Sequence, residues 1–450
     1  MTVQSRYIDI RDSLRTQLWP VPTVGIVLAL IVGVALPELD RAVDDSLPAS
    51  ISAYLFGGGA SAARTVLDAV ASSLITVTSL TFSLTVVTLQ LASGQFSPRL
   101  LRTFTRDRFV HFTLALFLAT FVYALTVLRT VRSIGEEQAQ FVPQLSVTLA
   151  FVLAVASVVA LVLFLAHLAR EIRVETMLQG VRKDAIAAVV RLLAPGEGPD
   201  DDETSDMAAS FKDSDPILAD KSGFLTSVDH DGLCAAASEI GAVVLIERWP
   251  GAFVVAGTPI GRSRGVPKNP KETVAAFEAA LKKSLTIRNE RNDTQDFTFG
   301  LRQLTDVTTK ALSPGVNDPT TAIHSLGHIS ALLCEIARHD LRPQRWYDDD
   351  GCLRVVCLQP GFSDILDEAL AQPRRYGASD PALMVRLFEL LREVGWSVRT
   401  PHQREAVTGQ LARLRATAAA QDFDEAERAQ LGRCDVQVQQ ALRGLWAESS

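Results

Sequence analysis

The chain has 450 residues, 48% of them hydrophobic, and a mean hydropathy of +0.18. Its 44 basic and 51 acidic side chains leave a formal charge of −7, and no block of Lys or Arg with interleaved aromatics occurs, which argues against nucleic acid as a partner. The average conceals a division: the first 170 residues carry four long apolar runs, and the rest has charges throughout, so a membrane domain followed by one or two water-soluble domains is expected.

The apolar runs cover about 21–36, 69–91, 112–128 and 142–168. The first and third are near the lower limit of about 17 residues for a spanning helix, so their flanks must contribute. No small-x-small cleavage site follows the first run, and Pro37 comes directly after Leu36, so it reads as a retained anchor. Basic residues in short loops set the orientation. Arg6, Arg11 and Arg15 precede the first span, and Arg99, Arg102, Arg106 and Arg108 fill the loop after the second. Arg170, Arg173, Arg182 and Lys183 follow the fourth, whereas the first and third loops are acidic or mixed. Both termini are therefore expected in the cytoplasm.

The second span, Ala69 to Leu91, has no charge but many hydroxyls. At about 100° per residue its polar side chains form two stripes. Ser72, Thr76, Ser79, Ser83 and Gln90 share one face, and Thr78, Thr81, Thr85 and Thr88 share roughly the opposite one. Such stripes suit close packing between helices, a water-filled path, or both. No Asp, Glu, Lys or Arg lies within the four cores, which argues against a proton-coupled transporter and is compatible with a passive pore or with a sensor that transports nothing. Pro98 ends the span, and Arg99 and Arg102 are expected at the membrane boundary, where they anchor to headgroups.

Beyond the membrane, 171–194 reads as a helical extension and 195–215, with Asp200, Asp201, Asp202 and Glu203, as an acidic linker. Short apolar runs and turn signals over 216–265 predict a small β-rich domain. Its Trp249-Pro250-Gly251 to Pro259 phrase resembles the barrel of lipoyl and biotinyl domains. No Lys occurs between Ser222 and Val266 to carry a cofactor, so a structural barrel is expected. Residues 266–450 read as mainly helical. There, Phe297, Leu301 and Leu304 have the spacing of a buried helix face. Pro314-Gly315 makes a turn, and Asp318-Pro319 reads as the N-cap and first residue of a helix. That helix start also offers free N–H groups that suit an anion; capping alone accounts for the turn, and the alternative is a ligand site there, with Asp296, Arg302, Asn317 and Asp318 as its candidates. His324 and His328 share a face, but no third ligand is evident and Ser325 breaks the metalloprotease pattern, so no metal is assigned. The five cysteines match no zinc spacing and read as reduced thiols. No cofactor is implied and no catalytic constellation is found, so the chain is not read as an enzyme.

Three phrases carry a family resemblance. They are Thr81-Phe82-Ser83-Leu84-Thr85 with Gln95-Phe96-Ser97-Pro98-Arg99, then Gln295-Asp296 through Gly300-Leu301-Arg302-Gln303-Leu304, then Ala311 through Pro319. Together they resemble a bacterial family of integral membrane proteins catalogued as domain of unknown function 2254, over nearly the whole chain. The resemblance implies an inner-membrane, multi-pass protein with a cytosolic C-terminal region, and it supplies no catalytic residues. The expected fold is thus four transmembrane helices followed by a cytosolic α+β region with a small β-rich barrel and a helical bundle. The favoured reading is a homo-oligomeric pore in the lipid bilayer, lined by the second span, passing an inorganic ion and regulated by a small-molecule ligand. The alternative is a membrane-tethered sensor or scaffold.

Overall fold

The computed structural model describes residues 17, 19–43, 55–95, 107–132, 141–171, 173–193, 211, 214–267 and 269–446. They form two compact units, one drawn mainly from residues before 174 and one from Val174 onward. Arg99 and Arg102 lie outside the described residues, as does most of the acidic stretch 195–215.

The N-terminal unit has four helices, α1 (Pro20–Val43), α2 (Ala60–Gln95), α3 (Arg108–Leu128) and α4 (Gln144–Glu171). All four are long and apolar enough to cross a membrane. Each includes most of the expected apolar run and continues into polar flanks; α1 runs on through Pro37. Small residues set how α1 meets α3. Gly25, Ala29 and Gly33 recur every four residues; a Cβ on Gly25 would lie 3.2 Å from the Ala115 carbonyl oxygen, and one on Gly33 would lie 2.9 Å from Thr126 Cβ. This is close backbone approach through small residues, the usual means of packing helices where no hydrophobic drive exists. Between α3 and α4, the buried Thr120 and Ser157 hydroxyls stand 3.4 Å apart, and the Tyr123 hydroxyl donates to the Ser146 carbonyl at 3.0 Å.

The C-terminal unit begins with α5 (Val174–Leu192) and continues β1 (Asp215–Leu218), β2 (Gly223–Val228), α6 (His230–Glu239), β3 (Val243–Ile246), β4 (Phe253–Val254), β5 (Pro259–Arg264), α7 (Lys271–Ser284) and β6 (Leu285–Arg288). Then come α8 (Phe299–Ala311), α9 (Pro319–Ile336), β7 (Gln344–Tyr347), β8 (Leu353–Cys357), α10 (Phe362–Tyr376), α11 (Pro381–Ser397), α12 (Pro401–Ala419) and α13 (Glu425–Leu442). The strands make a five-stranded sheet in the order β1-β5-β3-β8-β7 and a three-stranded sheet in the order β4-β2-β6. The small barrel expected over 216–265 is not found among the described residues. The strands of that stretch find partners downstream instead: β2 pairs with β6, and β3 runs parallel to β8. A helix, α6, interrupts them, capped by the Asp229 carboxylate on the Gly232 N–H. Leu225, Val244, Ile260, Phe277 and Val355 form a core shared by strands of both sheets and α7. The helical remainder buries Leu301, Leu326, Leu366 and Leu387, with α5 packed on α8 and α9.

Candidate functional site

The two polar stripes of α2 have different surroundings. Thr78, Thr81, Thr85 and Thr88 are buried, whereas Ser72, Thr76, Ser79, Ser83 and Gln90 face outward from the unit. Several hydroxyls on both faces donate back to the carbonyl four residues earlier, Ser79 to Ile75 at 3.0 Å and Thr85 to Thr81 at 2.8 Å among them. The buried Thr81 hydroxyl has no partner among the described residues. The other outward faces are different. From Val24 to Ala35 of α1 and from Phe151 to Ala166 of α4, every exposed side chain is aliphatic or aromatic.

Two ionisable sites in this unit escaped the sequence reading. Asp40 looks like a loop acid, but α1 extends past it and buries it. Its carboxylate accepts the Leu145 N–H at 2.9 Å, the Ser146 N–H at 3.0 Å and the Ser146 hydroxyl at 2.6 Å, so it caps α4 from another helix. Near the other end of α4, His167 pairs with Asp107, whose second oxygen caps α3 at the Phe109 N–H. Ser146 and His167 are about 30 Å apart along the helix at 1.5 Å per residue, close to the thickness of a bilayer's hydrocarbon core. Counting only Asp, Glu, Lys and Arg passes over His111 and His167, which lie in α3 and α4. The sequence signal for Asp40 is its place one turn beyond Leu36, on a helix that need not stop at Pro37.

In the C-terminal unit, Asp296 is the centre of a buried ionic knot. Its side chain is 1% exposed, with Arg291 2.8 Å away. Its other oxygen accepts the Thr298 N–H at 3.1 Å and the Thr298 hydroxyl at 2.8 Å. Arg291 also reaches Glu368 at 3.8 Å, and Arg302 links Glu368 at 3.9 Å to Asp306 at 3.1 Å. Burial pushes the Asp296 and Glu368 carboxyls upward, while the neighbouring guanidinium groups pull them down. Gly251 closes over the knot: with φ +101° it takes a backbone shape that disfavours side chains, and a Cβ there would sit 2.2 Å from an Asp296 oxygen. Next to Asp296, the Gln295 amide clasps the Val228 backbone, accepting its N–H at 2.7 Å and donating to its carbonyl at 3.1 Å. Gly300 lets α8 approach α5, since a Cβ there would lie 2.3 Å from Ala185 Cβ. The whole phrase from Gln295 to Leu304 joins strands to helices.

Asn317 and Asp318 belong to a different place. The Asp318 N–H donates to the Ala311 carbonyl, at the far end of α8 from Asp296, and α8 is about 20 Å long. The structure therefore brings Asp296 and Arg302 together and sets Asn317 and Asp318 apart from them. Asp318 does cap α9, accepting the Thr321 N–H at 3.0 Å, with Pro319 in the first turn. Asn317 takes the left-handed conformation at φ 48° in an exposed turn. The Thr321 hydroxyl and N–H hold the Asp318 carboxyl below its ordinary value. His324 and His328 straddle the Glu175 carboxylate, one on each oxygen, at 3.7 and 3.3 Å. No group of three His, Cys, Asp or Glu side chains among the described residues is arranged to hold a metal.

A cavity of about 240 Å³ opens beside Gln295 and Phe297, with Arg191, Arg248, His230, Trp249 and Trp346 in its wall. The His230 ring stacks on the Trp346 indole at 3.9 Å and 7°. Burial pushes its pKa down to about 4, and pushes the nearby Cys357 thiol up to about 12, where it is an unreactive thiol at neutral pH. Unfolded histidine takes its proton near about 6.5. As pH falls from there toward 4, the unfolded state binds a proton that the folded state refuses, so stability falls. Denaturant unfolding at a series of pH values should show this loss, and His230→Gln should flatten it; an equal slope in both proteins would rule out His230 as the source.

Four apolar helices followed by a mixed α and β unit define a membrane protein with a large C-terminal domain. Residues 15–393 match the family described as predicted membrane protein (DUF2254), and the chain belongs to that family. It is similar to an uncharacterized protein of Mycobacterium bovis and to one of Mycobacterium tuberculosis strain H37Rv. Each is 35% identical over 425 residues, covering 93% of this chain and 80% of theirs. A third relative, also uncharacterized, from M. tuberculosis strain CDC 1551, matches over the same shares. No solved structure matches the chain.

Proposed function

We propose that the protein is a homo-oligomeric passive pore of the bacterial inner membrane, with both termini in the cytoplasm, lined by the outward stripe of α2. One observation carries this reading: the exposed faces of α1 and α4 are aliphatic or aromatic through the membrane, whereas that of α2 carries a polar stripe, Ser72, Thr76, Ser79, Ser83 and Gln90, flanked by Ile75, Leu80, Phe82 and Val87. Placed around an axis, that stripe gives an ion or small solute a hydroxylated wall. The C-terminal unit is the regulatory part, and the guanidinium groups of Arg191 and Arg248 suit its 240 Å³ recess to a small anion. The back-bonding of Ser72, Thr76 and Ser79 favours a second reading, a tethered sensor whose hydroxyls need no water.

Flux through liposomes holding the purified protein separates the two. A pore conducts, and Ser79→Leu combined with Ser83→Leu abolishes flux while leaving the unfolding temperature unchanged. Absence of flux across salts, voltages and membrane tension supports the sensor.

A further inference from the structure

A second cavity in the C-terminal unit, of about 400 Å³, lies between α7, the edge strand β1 with its neighbour β5, and β6. Its inner wall is apolar, formed by Ile217, Ile260, Phe277 and Leu281 with their neighbours. Its volume falls within the range of about 300–1,000 Å³ usual for small-molecule sites. An apolar wall on a void of this size forgoes dispersion contacts that an apolar guest would restore. The rim is charged. Asp215, Asp220 and Glu278 supply three carboxylates against the one ammonium of Lys282, and all four side chains are exposed. None of the four forms an ion pair among the described residues. A guest with an aliphatic body therefore meets a mouth that is negative by two charges.

We propose that this cavity binds a small amphiphile with a cationic head: the alkyl portion occupies the space between Ile217, Ile260, Phe277 and Leu281, and the head group sits among Asp215, Asp220 and Glu278. Leu218, 49% exposed on the edge strand at the mouth, extends the apolar surface along which such a molecule enters. This site is separate from the pore reading and does not depend on it.

The test uses the full chain in nanodiscs of zwitterionic lipid, with empty nanodiscs measuring partition into the bilayer. The probes are hexyltrimethylammonium, hexanol and hexanoate. The readout is backbone hydrogen exchange, which localises binding to 215–218 and 271–284. At a free concentration ten times its dissociation constant, a ligand slows exchange through the unbound state about tenfold. Hexyltrimethylammonium should protect these segments most, hexanol less and hexanoate least. Leu281→Trp, which fills the space, should remove protection by all three. Glu278→Lys combined with Asp215→Lys should reverse the order of cation and anion and leaves the cavity wall intact, so it decides the question if the tryptophan variant fails to fold. Equal protection by the cation and the anion, an unreversed order in the double variant, or no protection at these segments would overturn the assignment.

Discussion

Replacing Asp296 with alanine is expected to lower the unfolding temperature of the C-terminal unit by about 10 °C, from a loss of about 3–5 kcal/mol at about 2–4 °C per kcal/mol. The carboxylate is 1% exposed and faces Arg291, itself 15% exposed. Its removal leaves a guanidinium in the interior and takes the acceptor from the Thr298 N–H and hydroxyl. Asp296→Asn keeps the volume and one acceptor and should fall between alanine and wild type. Gly251→Val should reproduce the alanine loss from the opposite side, since its Cβ would lie 2.2 Å from the Asp296 oxygen. Differential scanning of the purified protein reads all three. A shift for Asp296→Ala within experimental error would mean that Arg291 turns to Glu368, 3.8 Å away, and that the knot is redundant.

Asp40→Ala is expected to cost about 2–4 kcal/mol in the membrane unit, because hydrogen bonds to a charged acceptor contribute about 1.5–3 kcal/mol each and their donors here lose their acceptor. Those donors, the Leu145 and Ser146 N–H groups, belong to the first turn of α4. The positive end of that helix dipole faces the carboxylate, so the charge matters as well as the hydrogen bonds. Hydrogen exchange at these two amides should speed up in the variant, and Asp40→Asn should recover part of the protection. Unchanged exchange at 145 and 146 would show that another group, or water, caps the helix equally well.

Both residues illustrate which features a linear reading can reach. The four apolar runs were legible because a bilayer demands about 20 consecutive apolar residues, a local property of the chain. The start of α9 was legible for the same reason: Asp318 and Pro319 act on N–H groups within three residues of themselves. The two stripes of α2 also follow from helical spacing alone. Which stripe is buried does not, since both are made mainly of hydroxyls and only the folded unit sorts Thr78, Thr81, Thr85 and Thr88 from Ser72, Thr76, Ser79, Ser83 and Gln90.

The missed features depend on partners far away in sequence. Asp40 finds Ser146 more than a hundred positions on, and Gln295 finds Val228 across 67. The strands of 216–265 look self-sufficient until β6 and β8 join them, and so a barrel was expected where two open sheets stand. Asp296 and Arg302 read as part of one ligand site with Asn317 and Asp318; the structure gives the first two to one ionic knot and sets Asn317 and Asp318 at the far end of α8.

Four runs long and apolar enough to cross a membrane, the start of the helix after the exposed turn, and the family to which the chain's phrases point are all legible along the chain. Tertiary structure decided which hydroxyl stripe faces outward, what caps α4, how the strands pair and where cavities with charged rims lie. The division has one physical reason: helix length, capping and amphipathic spacing are set by neighbours within a few residues, whereas burial, strand pairing and the company of a charge are set by residues that only the folded chain brings together.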